Sequence, residues 1–189
     1  LSLSYEEKLK IVRGEGVWLI GADGTRYLDA YNNVASVGHC HPRVVDAVSR
    51  QIATLNTHSR YLCEIVYTYA ERLLATLPRE LSKIVFTCTG SESIDLSLRI
   101  ARAVTGGTGF IVTANAYHGN TLAVTQISPS STSAEPRSPH VFLVPAPDTY
   151  RTPSDDVGPI FAANVRKAIS AMKRKKIRLA GLVADSIFS

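Results

Sequence analysis

The sequence predicts an α/β fold in which helices cover a mainly parallel sheet. From Lys83 onward, short apolar runs typical of buried strands alternate with segments of helical periodicity, and this alternation indicates a parallel sheet. The composition agrees, since 45% of the 189 residues are apolar and 20% are charged, close to the average of globular domains. These values exclude a disordered chain, a collagen and a coiled coil.

The region before the alternation has two patterns of its own. Residues 17–31 predict a β-hairpin with its turn at Asp23 and Gly24, a pair favoured in tight hairpin turns. Pro42 suits the first turn of a helix. The next residues place apolar side chains on one face of that amphipathic helix: Val44, Val45, Val48, Ile52 and Leu55.

The remaining elements follow in order. A second helix is predicted over residues 64–77, ended by Pro78. A Ser/Pro-rich stretch at 128–139 predicts a surface loop. The alternating region predicts strands at 83–89, 109–114, 140–145 and 180–185, and helices at 91–104 and near 160–175. No helix covers the last strand, so we expect this chain to be the first part of a longer protein.

Charge and hydropathy narrow the class of partner. The net charge is +5, and the densest basic run, at residues 173–178, ends a predicted helix, which favours a solvated helix end over a nucleic-acid site. No aromatic residues interleave with these cations, as single-strand binding would require. No apolar run reaches the roughly 18–20 residues that span a bilayer. We therefore expect a cytoplasmic protein with neither nucleic acid nor membrane as partner.

The cysteines and histidines predict neither a disulfide framework nor a metal site. Cys40, Cys63 and Cys88 are widely spaced and form no CxxC pair, which favours reduced, mostly buried thiols. His39 and His41 flank Cys40, but adjacent residues seldom converge on one ion.

The first candidate site is the segment TCTGSES, at residues 87–93, between a predicted strand and a predicted helix. A helix N-terminus offers unpaired N–H groups to an anion, and Gly90 allows a ligand to approach the backbone. Thr89, Ser91 and Ser93 add hydroxyl groups. The alternative is an ordinary helix start with Ser91 as the N-cap. Neither GxxxxGK[ST] nor GxGxxG is present, which excludes those two phosphate-binding motifs.

The second candidate site is the segment AYHGN, at residues 116–120, which follows a predicted strand. It would therefore lie at the carboxyl edge of the sheet, where open α/β proteins bind ligands. The Tyr117 ring suits a planar cofactor, and Gly119 would give that ring clearance. The alternative is a packed turn.

The combination of three blocks resembles the class III aminotransferases, which are pyridoxal-phosphate enzymes of fold type I. The blocks are YLDAYNNVASVGHCHPRVVDAV, TCTGSESIDLSLRIAR and ANAYHGN. The stretches LNTHSRYL, VPAPDTYR and GLVADSIFS resemble a subgroup that includes ethanolamine-phosphate and phosphohydroxylysine phospho-lyases.

The resemblance implies a role for individual residues. Thr89, Gly90 and Ser91 would hold the phosphate of pyridoxal 5′-phosphate, and Tyr117 would stack on its ring with His118 beside it. Asn32, Asn33 and Tyr61 would lie near the substrate. The sequence departs from the usual pattern of the family with Thr89 in place of Ser, Ser93 in place of Ala, and Asn120 where His is common.

The resemblance also implies what this chain lacks. The Schiff-base lysine and the aspartate beside the pyridine nitrogen would lie downstream of residue 189, and Asp185 corresponds to neither. Residues 1–58 would belong to a small domain and residues 59–189 to the first part of the large cofactor-binding domain. The 189 residues should therefore contain no catalytic residue and should be inactive alone.

The implied function is transfer of an amino group from an amine or amino acid to a keto acid by a cytoplasmic homodimer. A phospho-lyase acting on a phosphorylated amine, such as phosphoethanolamine, is the alternative, because both reactions would use every residue visible here. A non-catalytic anion-binding domain is a second alternative, consistent with the missing lysine and aspartate.

Overall fold

A computed structural model describes residues 8–31, 34–58, 60–130 and 137–188. The chain divides into two compact units, Leu1–Pro78 and Arg79–Ser189, and each is described by itself. This division falls after Pro78, whereas the predicted domain boundary lies between residues 58 and 59. That boundary concerns the domains of the full-length protein and stays a prediction.

The first unit contains a three-stranded antiparallel sheet in which the predicted hairpin is confirmed. At its turn, the Asp23 carboxylate accepts hydrogen bonds from the Thr25 N–H at 3.0 Å and the Thr25 hydroxyl at 2.8 Å, and these lower the pKa of Asp23. Gly24 has a φ of +84°, which glycine adopts without strain. The strands are β1 (Ile11–Glu15), β2 (Trp18–Gly21) and β3 (Arg26–Leu28), in the order β1-β2-β3.

Two helices complete the first unit. The predicted helices are confirmed as α1 (Pro42–Thr54) and α2 (Glu64–Leu74), although α2 ends three residues before the predicted end. The apolar face of α1 is exposed: Val48 is 51% and Ile52 is 65% accessible. Among the described residues of this unit, no element covers that face.

The second unit is built on a three-stranded parallel sheet. β4 (Gly109–Thr113) lies between β5 (Val141–Val144) and β6 (Leu179–Val183). All five residues of β4 are buried, as expected for a central strand covered on both faces. The helices are α3 (Gly90–Thr105), the short α4 (Leu122–Thr125) and α5 (Ser154–Arg174).

Each face of this sheet has its own core. Side chains alternate along β4, so Phe110 and Val112 face one core and Ile111 faces the other. The first core includes Leu98 of α3, Val124 of α4 and Ala180 of β6, and the second includes Val144 of β5 with Ala168 and Met172 of α5. Helices on both faces of a parallel sheet confirm the predicted fold class.

The predicted strand at residues 83–89 is wrong, because the described residues there form no strand. Val85 is 66% and Phe86 is 45% exposed. A strand exists only through hydrogen bonds to a neighbour, and no strand of the described sheet pairs with this segment.

Helix α5 begins six residues before the predicted start and passes through Pro159. Asp155 and Asp156 lie in its first turn, where carboxylates stabilise the positive end of the helix dipole. Residues 173–176 of the basic run are exposed, which confirms a solvated helix end. Among the described residues, no helix is both long and apolar enough to cross a membrane.

Candidate functional site

The site is built around the first turn of α3. Thr89 is its N-cap, and its hydroxyl oxygen accepts a hydrogen bond from the Glu92 N–H at 3.1 Å. The Glu92 carboxylate in turn accepts one from the Cys88 N–H at 2.8 Å. The alternative prediction, in which Ser91 is the N-cap, is therefore wrong. This reciprocal pairing is a variant of the capping box.

Two backbone donors of that turn stay available for an anion. The Glu92 N–H bonds to the Thr89 side chain, and the Ser93 N–H donates to the Thr89 carbonyl at 3.1 Å. The N–H groups of Gly90 and Ser91 have no partner among the described residues. A Cβ on Gly90 would meet nothing within 4 Å. The turn thus presents two donors and the positive end of a helix to open space.

The segment after β4 lies against this turn. The Ser91 hydroxyl donates to Asn120 Oδ1 at 3.0 Å and accepts from the Asn120 N–H at 3.0 Å. Gly119 has a φ of +141°, and a Cβ there would lie 2.5 Å from Ser91 Oγ and 2.9 Å from Ser91 Cα. This close approach to Ser91 explains why residue 119 is a glycine. The role of Gly119 in giving a cofactor ring clearance stays a prediction. The structure therefore brings the two candidate segments together.

Tyr117 and His118 occupy the carboxyl edge of the sheet, as predicted. The Tyr117 side chain is 57% exposed, whereas His118 is half-buried and its Nε2 has no hydrogen-bond partner among the described residues. Burial lowers the pKa of His118, and the negative charge of Asp185, which follows β6, partly opposes that shift. Burial therefore favours the neutral form of the imidazole over the charged form.

The three residues that were predicted to lie near the substrate are described separately from this site. Tyr61 belongs to the first unit, where its ring is 67% exposed and stacks on His58 with centroids 5.2 Å apart. Asn32 and Asn33 lie outside the described residues. The proximity of all three to the substrate stays a prediction.

The structure also describes the histidines and cysteines for which neither a metal site nor a disulfide was predicted. His39 Nε2 lies 2.7 Å from Asp29 Oδ2, and the described parts of the chain contain no group of three or more potential metal ligands. Cys40, Cys63 and Cys88 are free thiols, but Cys40 and Cys88 are exposed, so the prediction that these thiols are mostly buried is wrong.

Three residues that support the site were not predicted. Ser128 was placed in a surface loop but is only 2% exposed, and its hydroxyl oxygen accepts from the His118 N–H at 3.0 Å. Residues 131–136 of that predicted loop lie outside the described residues. Thr121 donates to Asp95 Oδ2 at 2.7 Å. A Thr before a short apolar run is a helix-start signal that identifies Thr121, but no sequence signal identifies Ser128.

The comparisons with known proteins agree with this geometry. A family model described as aminotransferase class-III matches residues 3–189. The chain belongs to the class-III aminotransferase family. It is 37% identical to an alanine–glyoxylate aminotransferase 2-like protein of Drosophila melanogaster, over 97% of this chain and 39% of that protein. It is 36% identical to an ethanolamine-phosphate phospho-lyase homolog of Caenorhabditis elegans, over 77% of this chain and 32% of that protein.

Solved structures of this family confirm the fold. A phospholyase from Arthrobacter in complex with phosphoethanolamine is 40% identical with a TM-score of 0.91, covering 100% of this chain and 45% of that chain. A taurine:2-oxoglutarate aminotransferase from Bifidobacterium kashiwanohense, in complex with PLP and glutamate, is 21% identical with a TM-score of 0.80 over 96% of this chain and 44% of that chain. The chain thus spans less than half the length of these class-III proteins.

Proposed function

We propose that the full-length protein is a pyridoxal-phosphate-dependent aminotransferase to which this chain contributes the phosphate-binding turn. The observation that carries the proposal is the first turn of α3, where the free N–H groups of Gly90 and Ser91 lie beside the segment that carries Tyr117 and His118. When bound, the cofactor would act as an electron sink for the substrate carbon that bears the amino group.

The residues present fit that cofactor. Two backbone N–H groups at a helix N-terminus suit a phosphate, and the Thr89 hydroxyl, which accepts a bond from Glu92, keeps its own proton to donate. Tyr117 supplies an exposed ring for stacking on the pyridine ring. His118 supplies an imidazole whose neutral form is favoured by burial, and its Nε2 has no partner in the part of the chain that the structure describes. This chain therefore binds and orients the cofactor.

The lysine that the reaction requires is proposed to lie outside this chain. Lys173, Lys175 and Lys176 belong to the exposed run at the end of α5, whereas a lysine becomes nucleophilic at neutral pH when it is desolvated or lies next to another cation. Asp185 follows β6 and acts on the pKa of His118. We therefore assign no catalytic residue to this chain.

A cofactor titration of the full-length protein tests the proposal. Addition of pyridoxal phosphate should produce a saturable visible absorbance band that differs from that of the free cofactor. A keto acid and an amino donor should then give amino-acid product over many turnovers. A protein that gives no such band would be the non-catalytic anion-binding domain instead, and the aminotransferase proposal would be wrong.

A phospho-lyase is the second candidate, favoured by the 40% identity and the TM-score of 0.91 to a phospholyase bound to phosphoethanolamine. We rank it second because the phospho-lyase-like stretches offer few cations for a second phosphate. Arg151 already donates to Asp148 at 2.8 Å, which leaves Arg60 as the candidate cation in those stretches.

Incubation with phosphoethanolamine in the absence of a keto acid separates the two reactions. A transaminase without an amino acceptor completes only a half-reaction, so release of inorganic phosphate should stay near zero. Phosphate and an aldehyde formed over many turnovers per site would reverse the ranking. A homodimer and a cytoplasmic location belong to the same proposal on the family resemblance, and sedimentation and cell fractionation test them.

A further inference from the structure

The segment from Tyr117 to Thr121 is tied to α3 at two points, one helical turn apart. Ser91 exchanges two hydrogen bonds with Asn120, both of 3.0 Å. Asp95, four residues further along α3, accepts a 2.7 Å hydrogen bond from the Thr121 hydroxyl. Residues four apart lie on the same face of a helix, so consecutive residues of the segment contact successive turns of α3.

The same segment is also held from its other side. The Ser128 hydroxyl oxygen accepts from the His118 N–H at 3.0 Å and donates to the Val124 carbonyl at 2.8 Å, with the Gly119 carbonyl at 3.3 Å. Ser128 is 2% exposed, so water does not compete for these bonds. Thr121 also caps α4, because its hydroxyl oxygen lies 3.4 Å from the Val124 N–H and accepts from it.

We infer that Asp95, Thr121 and Ser128 are positioning residues that set the place of Tyr117 and His118 relative to the phosphate-binding turn. This inference rests on the proposed function. None of the three belongs to the turn that would hold the phosphate. They act through the segment, because its ends are fixed by their hydrogen bonds while the Tyr117 ring itself is exposed.

The chemistry explains why these bonds matter. A hydrogen bond to a carboxylate is stronger than one between neutral groups, so the Thr121 to Asp95 bond is the strongest single tie of the segment. A shift of about 1 Å in a group that orients the reacting molecule lowers rates by up to roughly a hundredfold. Loss of this tie should therefore impair placement of the cofactor ring and leave phosphate binding at α3 intact.

The test compares Thr121→Val with Thr121→Ser and Thr125→Val in the full-length protein. Valine keeps the shape but removes the hydroxyl, and serine restores it. Thr125→Val is the matched control, because the Thr125 hydroxyl donates to Leu122 within its own helix. The readouts are pyridoxal-phosphate affinity, visible circular dichroism of the bound cofactor, and the affinity for inorganic phosphate alone.

Thr121→Val should weaken cofactor binding about ten- to a hundredfold, the effect of one lost charge-assisted hydrogen bond. It should also change the visible circular dichroism, while inorganic phosphate binds as in the parent. Thr121→Ser and Thr125→Val should match the parent. Asp95→Ala should reproduce the Thr121→Val pattern, and the double variant should lose little more, which keeps the test valid if one variant fails to fold.

Two results would overturn this inference and leave the proposed function standing. One is a Thr121→Val protein that matches Thr125→Val in every readout. The other is a Thr121→Val protein that loses phosphate affinity and cofactor affinity by the same factor. A parent protein that binds phosphate but not the cofactor would overturn the proposed function, and this inference with it.

Discussion

Replacement of Gly119 by alanine is the sharpest test of how the two candidate segments meet. A Cβ at this position would lie 2.9 Å from Ser91 Cα, about half an ångström inside an ordinary contact. The Ser91 hydroxyl can rotate away, but its Cα belongs to the backbone of α3. Overpacking of this kind costs about 1–3 kcal/mol, and the φ of +141°, which side chains rarely adopt, adds about 1–3 kcal/mol.

Gly119→Ala should therefore lower the free energy of unfolding by about 2–6 kcal/mol, unless the segment moves and the bonds between Ser91 and Asn120 break. Urea unfolding measures the first effect, and hydrogen exchange of the Asn120 amide detects the second. Gly90→Ala is the matched control, because its Cβ would meet nothing within 4 Å, and its stability should stay within about 0.5 kcal/mol of the parent. If Gly119→Ala equals Gly90→Ala in both measurements, the close approach is wrong.

Three further predictions concern charge, packing and pH. Ser91→Asp places a carboxylate at the proposed phosphate site, so cofactor binding in a titration should weaken by about 2–4 kcal/mol, and an unchanged Kd would exclude Ser91 from that site. Leu98→Ala, at a residue 3% exposed, should cost about 2–5 kcal/mol in urea unfolding. Val104→Ala, at a residue 80% exposed on the same helix, should cost less than about 0.5 kcal/mol, and equal losses would contradict the assigned core. The pKa of His118 is lowered below 6.5 by burial, so its contribution to stability is full above pH 6.5 and declines as the pH falls through the folded-state pKa. Asp185→Asn should lower that pKa further in an NMR titration, and an unchanged pKa would show that the Asp185 charge does not act on His118.

The fold class could be predicted because its strongest signals are local. Residues 110–112 are a continuous apolar run, as expected for a strand buried on both faces, and they lie at the centre of strand β4. Helix α3 could be predicted from periodicity together with the Thr, Gly and Ser residues at its start. Hydrophobic period and helix-start chemistry depend on near neighbours, so they can be read from the chain directly.

The segment at residues 83–89 shows that a local apolar pattern is not sufficient to predict a strand. Its apolar pattern is as strand-like as that of β5, yet the described residues form no strand there. Helix α5 shows the opposite error. The pair Gly158-Pro159 predicts a start near residue 160, but the helix begins at Ser154 and continues through the pair. In both places the outcome depends on which other elements lie alongside.

The candidate site likewise combines local features that the sequence determined with contacts that only the tertiary structure decided. The sequence by itself determined that a helix would begin near Gly90, and that a Tyr-His pair would follow a strand at the carboxyl edge of a parallel sheet. Only the tertiary structure decided that Ser91 bonds to Asn120, that Gly119 is required by contact with Ser91, and that Ser128 is buried beneath His118. Each of these contacts joins residues nine or more positions apart, and such contacts depend on how helices and loops pack around the sheet rather than on the local pattern of either segment.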